Sequence, residues 1–273
     1  MTGIADLTAY GAAVTKSVSN EPWEGRPPPR VAAAGIGMLN GIGIQNPGIE
    51  QWRSEHESTL SRLAVPVWGS AVGHTEEDFV RVAEGLAATG VDAIEINLSC
   101  PNLDGHLIAL DPALSAKVTA AVKSAVDLPV GAKLSPNSVD IASVAAACAE
   151  AGADWVILTN TIWGAGIDIE TRRPALSGVI GGYSGPPLKP IALRCVIEVH
   201  RALPHLPILG CGGVVSGADV VEYLLAGASA VGIGTIHFSE PRAGRRILKE
   251  LDRWCRRRGV ARLADLIGQA SLN

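Results

Sequence analysis

Short apolar runs alternate with amphipathic stretches along this chain, and that alternation limits the fold more than any other feature of the sequence. The runs that read as strands are Ala12–Thr15, Pro66–Ser70, Ala93–Asn97, Val130–Leu134, Trp155–Asn160, Pro207–Gly210 and Ala230–Gly234. Between them, Glu76–Ala88, Asp111–Ala125, Ser138–Ala151, Lys189–Ala202 and Ala218–Ala226 carry helical spacing. Thr75 and Ser216 stand where N-caps belong. Gly90, Gly152 and Gly227 close three of the helices, each just before a strand, where a left-handed residue is wanted.

Repeated strand–helix units without an antiparallel run predict a parallel sheet, either an open doubly wound sheet or a closed barrel. Seven candidate strands leave the count one short of the eight of a (β/α)8 barrel. The first of them arrives only at residue 12, so the eighth would have to precede Met1. We therefore expect an α/β chain of TIM (β/α)8 type with its first strand missing. No linker or low-complexity segment interrupts the series, so residues 1–273 read as a single domain.

Hydrophobic residues make up 47% of the chain and charged residues only 18%, enough for a large buried core. A net charge of −4 argues against a nucleic-acid partner. The arginines between Arg253 and Arg258 read as a solvated helix end. No apolar run of membrane-spanning length and no signal pattern is present, so a cytoplasmic protein without a membrane partner is expected. Cys100, Cys148, Cys195, Cys211 and Cys255 show no CxxC pairing. Neither a zinc site nor an iron–sulfur cluster is indicated, and no metal is expected.

The chemistry concentrates at strand ends. Asn97-Leu98-Ser99-Cys100-Pro101-Asn102 sets two amides and a thiol just past a strand, where parallel α/β proteins display catalytic groups. Proline after the cysteine forces a turn, so the thiol is presented on a loop. Gly210-Cys211-Gly212-Gly213 and Gly232-Ile233-Gly234-Thr235 follow the last two strands, the usual phosphate position of a barrel. Lys16 and Lys133 end two strands, and a lysine facing a barrel mouth needs an anionic or electron-rich partner. Asn40, Asn97, Asn102 and Asn160 fall on loops or strand ends and suit a ligand with alternating donors and acceptors. Cys148, Cys195 and Cys255 read as core residues, Cys211 as ambiguous, and His74 and His106 as ordinary loop residues.

Taken together, these segments resemble class 1 of the dihydroorotate dehydrogenase family, from about residue 8 to residue 240. The resemblance rests on Val14-Thr15-Lys16-Ser17, Met38 to Gly48, Ile96 to Asn102, Ala132 to Asn137, Thr159-Asn160-Thr161, Gly181 to Pro186 and the two glycine turns. The proline-containing stretch Gly25 to Val31 looks more like the NAD-linked 1B branch than the fumarate-linked 1A branch.

The resemblance implies an FMN-binding barrel that oxidises dihydroorotate to orotate in pyrimidine biosynthesis. In it, Cys100 is the general base at C5 and a hydride passes from C6 to the flavin. Substrate would be held by Lys16, Asn40, Ile42, Gly43, Ile44, Asn97, Asn102, Asn160 and Thr161. FMN would be held by Lys16, Ser17, Asn97, Lys133, Thr159, Gly185, Gly212, Gly213, Gly234 and Thr235. It further implies a partner subunit carrying FAD and a 2Fe–2S cluster, within a homodimer or heterotetramer. Three departures from the family pattern stand out: the N-terminal strand, Gly69-Ser70-Ala71 in place of a flavin-contacting asparagine, and the loop from Leu103 to Leu110 with His106. The alternatives are a related FMN barrel acting on another dihydropyrimidine, and a truncated homologue without turnover.

Overall fold

The computed structural model describes residues 7–98 and 108–271. A 3-10 turn (Leu7–Ala9) leads into β1 (Ala13–Val14), β2 (Val31–Ala34), β3 (Gly37–Asn40), α1 (Ile49–Leu60), β4 (Val67–Ala71) and α2 (Glu76–Ala87). There follow β5 (Ala93–Asn97), α3 (Pro112–Ala125), β6 (Val130–Lys133), α4 (Ile141–Glu150), β7 (Trp155–Leu158) and β8 (Ile162–Ala165). The order continues with β9 (Ile167–Asp168), β10 (Arg173–Pro174), β11 (Ile180–Ser184), α5 (Lys189–Ala202), β12 (Ile208–Cys211) and α6 (Gly217–Ala226). The last elements are β13 (Ala230–Gly232), α7 (Ile236–Ser239) and α8 (Ala243–Arg258).

Seven strands form one parallel sheet in the order β1-β4-β5-β6-β7-β12-β13, the order of consecutive barrel strands. No hydrogen-bonded pair joins β1 to β13 among the described residues, so the barrel stands open along that seam. Side chains bridge the seam instead. Tyr10 bonds His237 at 2.9 Å. The Tyr10 ring also lies over Gly244 of α8, where a Cβ would sit 2.3 Å from its hydroxyl.

The local chemistry explains the elements. Thr75 and Asp78 close a capping box at the start of α2, and Ser216 and Asp219 do the same for α6. Gly90, Gly152 and Gly227 all take positive φ, as the sequence suggests. Ile94 and Ile96 of β5 are fully buried on one face, while Glu95 and Asn97 point to the other by the two-residue period of a strand. The helix-side core continues through Phe79, Leu86, Val122, Ile141 and Val144.

On the inner face, Trp68 and Trp155 meet with ring centroids 4.9 Å apart. Gly131 makes room for them, since a Cβ there would lie 2.2 Å from the Trp155 ring. Register then stacks the layers above this pair: Glu95 lies beside Gly131 and Ser70, and Asn97 beside Lys133.

The expectation of strand–helix units without an antiparallel run is corrected by a four-stranded antiparallel sheet, β2-β3-β11-β8, and the small pair β9-β10. These strands read VAAA, GMLN and IGGYS, with too few β-branched residues and too much exposure to show a strand pattern. The pairing is set by close approach. Tyr183 lies against Gly37, where a Cβ would be 2.6 Å from the ring, and its hydroxyl donates to the Ala34 carbonyl at 3.0 Å. Helix α1 has no counterpart in the sequence reading, because only Ile49 and Trp52 of its residues are buried. The arginines of α8 do form a helix end, closed by left-handed Gly259.

Gly131→Ala would force a methyl into the Trp155 ring and is expected to destabilise the protein by about 1–3 kcal/mol. A lower urea midpoint with an unchanged slope is the check.

Candidate active site

A cavity opens at the C-terminal ends of β6, β7, β12 and β13 and beside the end of β11. Its wall includes Lys133, Thr159, Asn160, Thr161, Gly185, Cys211, Gly212, Gly213, Gly234 and Thr235. Nine of the residues anticipated from sequence thus meet on one rim: Lys133, Thr159, Asn160, Thr161, Gly185, Gly212, Gly213, Gly234 and Thr235.

The two glycine turns are shaped for a backbone-held ligand. Gly212 and Gly213 take φ of 142° and 69°. A Cβ on Gly213 would lie 2.7 Å from the Lys189 backbone nitrogen and 2.9 Å from the Gly185 carbonyl oxygen. Only glycine fits that turn. Gly234 faces open space, with nothing within 4 Å of where a Cβ would be. Among the described residues, the N–H groups of Gly212, Gly213, Gly234 and Thr235 donate none of the turn or loop backbone bonds. Beneath the first turn, the buried Tyr223 hydroxyl donates to the Gly212 carbonyl at 2.6 Å. Gly210 leaves room for its ring, 2.4 Å from a would-be Cβ. The Thr159 hydroxyl is buried, borders the cavity and has no hydrogen-bond partner among the described residues. A buried hydroxyl left unmatched is costly, so it awaits a polar group from a ligand.

A chain of polar contacts runs across the barrel interior below and beside the cavity. Lys133 Nζ donates to Glu95 Oε1 at 3.4 Å, and Ser70 Oγ donates to the same oxygen at 3.4 Å. Ser70 and Ser17 hydroxyls are 2.9 Å apart. Asn97 Nδ2 donates to Ser17 Oγ at 3.0 Å, and Asn160 Nδ2 to Asn97 Oδ1 at 3.2 Å. Asn160 Oδ1 in turn accepts from the Thr161 backbone at 2.8 Å. The Glu95 charge raises the Lys133 pKa above its ordinary value against the opposing effect of burial. Burial pushes the Cys211 thiol up, with the Lys133 ammonium acting the other way.

The remaining sequence-predicted residues divide. Asn40, at the end of β3, donates to the Gly182 carbonyl at 3.2 Å. Gly182 is also where Thr161 approaches, 2.2 Å from a would-be Cβ, so the antiparallel sheet sets Asn40 near Thr161 of the rim without making it part of the cavity wall. Ile42, Gly43 and Ile44 lie in the turn after β3 and do not line the cavity, and neither does Lys16. Ile44 instead packs with Val72 and Trp23. That turn holds two successive positive φ angles, 71° at Gly43 and 52° at Ile44. Buried Asn46 clasps it: its Oδ1 accepts from Gly48 at 3.0 Å and from Ser19 at 3.0 Å, and its Nδ2 donates to the Ile44 carbonyl at 2.8 Å. Cys100 and Asn102 lie outside the described residues.

Sequence reasoning passed over Glu95, noted Ser70 only as a departure from the family pattern, and gave Asn46 no role. The signal for Glu95 was available: one acid between two isoleucines in an otherwise apolar strand must face a polar interior. Of the anticipated core thiols, Cys148 and Cys195 are fully buried, whereas Cys255 is only half-buried.

The family model described as dihydroorotate dehydrogenase matches residues 1–254. A protein of Pelobacter propionicus named dihydroorotate dehydrogenase B (NAD(+)), catalytic subunit, is 43% identical over 266 residues, covering 96% of this chain and 87% of the relative. One of the same name from Geobacter sulfurreducens is 44% identical with the same coverage. The crystal structure of a dihydroorotate dehydrogenase from Eimeria tenella in complex with ferulenol superposes with a TM-score of 0.81 at 22% identity, over 96% of this chain and 79% of that one. That likeness bears on the fold.

Burial pushes the thiols of Cys148 and Cys195 up to about 11. Both should therefore stay unmodified by iodoacetamide in native protein at pH 8 and react fully in urea, as peptide mass spectrometry would record.

Proposed function

The chain belongs to the dihydroorotate dehydrogenase family, in its class 1, and from that premise we propose how its residues carry out the reaction. It oxidises dihydroorotate in pyrimidine biosynthesis, and the flavin chemistry of the family falls to this barrel. The finer reading is ours. Residues 1–273 act as one FMN-binding domain in the cytoplasm. Electrons leave through a partner subunit bearing FAD and a 2Fe–2S cluster, in a homodimer or heterotetramer. The relatives' name, a catalytic subunit, supports the existence of an electron-transfer partner. Among the described residues no helix is long and apolar enough to cross a membrane.

The observation that carries the reading is the orphaned Thr159 hydroxyl beside a lysine and two glycine turns on one rim. This set fits FMN. The N–H groups of Gly212, Gly213, Gly234 and Thr235 suit the phosphate. Lys133 and the Thr159 hydroxyl suit the polar edge of the ring system. When bound, FMN supplies the acceptor for the hydride that leaves C6 of dihydroorotate.

The chain's own residues do the rest. Asn97, Asn160 and Thr161 form one hydrogen-bonded array, so each amide is oriented before substrate arrives. Asn40 lies near Thr161 on the antiparallel sheet, bonded to the Gly182 carbonyl. Cys100, which follows β5 in the sequence, takes the C5 proton as a thiolate. A free thiol has pKa near 8.5, so at neutral pH the thiolate is the minority form unless its surroundings favour it.

Three measurements test this. Purified protein should be yellow with bound FMN, and anaerobic dihydroorotate should bleach it while dihydrouracil does not. Cys100→Ser should keep FMN yet slow that bleaching by about 10²–10⁴-fold, the usual contribution of a positioned base; an unchanged rate removes Cys100 from the chemistry. Gly213→Ala, which places a methyl on the Lys189 backbone, should weaken FMN binding about tenfold or more, or roughly 1.4 kcal/mol, by titration.

A further inference from the structure

Glu95 is the carboxylate that β5 places beneath the cavity floor, and the reaction as derived above leaves it without a role. Its side chain is only 3% exposed. An acid this deeply buried is costly unless paired. Its partners are Lys133 and Ser70, each at 3.4 Å from the same oxygen. Both contacts are long for charge-assisted bonds, so the ammonium is tethered without being clasped. Lys133 remains 25% exposed at its side chain and borders the cavity, whereas the acid does not. An ammonium has three donors. With one turned to Glu95, others stay available to a ligand above. The third polar group at this spot is the thiol of Cys211 at the end of β12, which borders the cavity beside Lys133.

We propose that Glu95 is a positioning residue that acts through Lys133: it fixes the ammonium under the cavity and offsets its charge, and so lowers the reduction potential of FMN bound there. This rests on the FMN reading above. Reduction adds negative charge to a bound flavin at neutral pH, so an unopposed ammonium beneath it favours the reduced form. Neutralising the acid while keeping its shape leaves that ammonium unopposed. Glu95→Gln should therefore raise the affinity of the site for reduced over oxidised FMN about tenfold, which is about 30 mV for a two-electron couple.

Lys133→Met supplies the control. Without the ammonium, the acid has no charge beside the cavity to hold in place or to offset. The further change Glu95→Gln then alters little.

The experiment compares wild type, Glu95→Gln, Lys133→Met and the double variant by FMN content, thermal unfolding and spectroelectrochemical midpoint at one pH. The expected pattern is FMN content kept in Glu95→Gln, the tenfold shift in that variant, and a difference under about threefold between the midpoints of FMN-loaded Lys133→Met and the double variant, whatever their FMN occupancy. A Glu95→Gln protein that melts earlier with an unmoved midpoint would show a purely structural acid and overturn the proposal. So would an equal Glu95→Gln shift with and without Lys133. If Glu95→Gln does not fold, Glu95→Asp takes its place: withdrawing the carboxylate by one methylene should move the midpoint in the same direction, and an unmoved value overturns the proposal. A wild type that takes up no FMN would defeat the functional reading and this one together, whereas a loaded wild type with an unmoved variant defeats this one alone.

Discussion

The parallel register of β4, β5 and β6 is the constraint on which the site depends. It pairs Ser70 with Glu95 and Asn97 with Lys133, so polar residues from three strands arrive on one face at two successive heights. The period of two sends Ile94 and Ile96 the other way, into the helix layer. A slip of one residue would exchange these sets, burying two polar side chains against helices and turning two isoleucines to the cavity. The apolar packing that fixes the core thus also fixes which atoms meet a ligand.

Close approach does comparable work at the glycines. Gly131 admits the Trp155 ring below the polar layer, Gly210 admits Tyr223 behind the first glycine turn, and Gly213 lets that turn lie on the start of α5. Each is a point where a neighbouring element fills the volume that a Cβ would take. Behind the first glycine turn the buried Tyr223 ring presses on bare backbone, which leaves the turn little freedom to move. Such rigidity suits a site whose donors must be in place before a phosphate arrives.

Much of this was legible in the sequence because barrel strands and their helices follow simple periods. Ala93–Asn97 and Lys189–Ala202 match the observed elements residue for residue, and the others differ mainly at their ends. The glycine turns and Lys133 fall on the rim as expected because strand ends in a parallel sheet point one way. The antiparallel sheet escaped notice since its strands are rich in alanine and glycine and owe their pairing to contacts such as Tyr183 on Gly37. Asn46 escaped for a different reason: its partner Ser19 lies 27 residues away, and no local pattern reports such a pairing. Glu95 was legible as an inward polar residue, but its pairing with Lys133, 38 residues on, was not.

The polar interior also sets a tension between stability and use. A core of this size would be no less stable with apolar residues at Ser70, Thr159 and both members of the Glu95–Lys133 pair, since a buried ion pair seldom gains on well-packed hydrophobic replacements of the whole pair. Thr159 leaves a hydroxyl unmatched, and Lys133 divides its donors between Glu95 and the cavity it borders. These groups are arranged for a partner that the fold alone does not provide. What they cost the chain is recovered when a ligand completes their hydrogen bonds, because anything that binds only the folded chain stabilises it. Backbone strain is also held at the turn after β3, where Ile44 keeps a left-handed backbone under the clasp of Asn46. Both features lie on the C-terminal side of the sheet, the side of a barrel given over to chemistry, while the tryptophan layer beneath carries the packing.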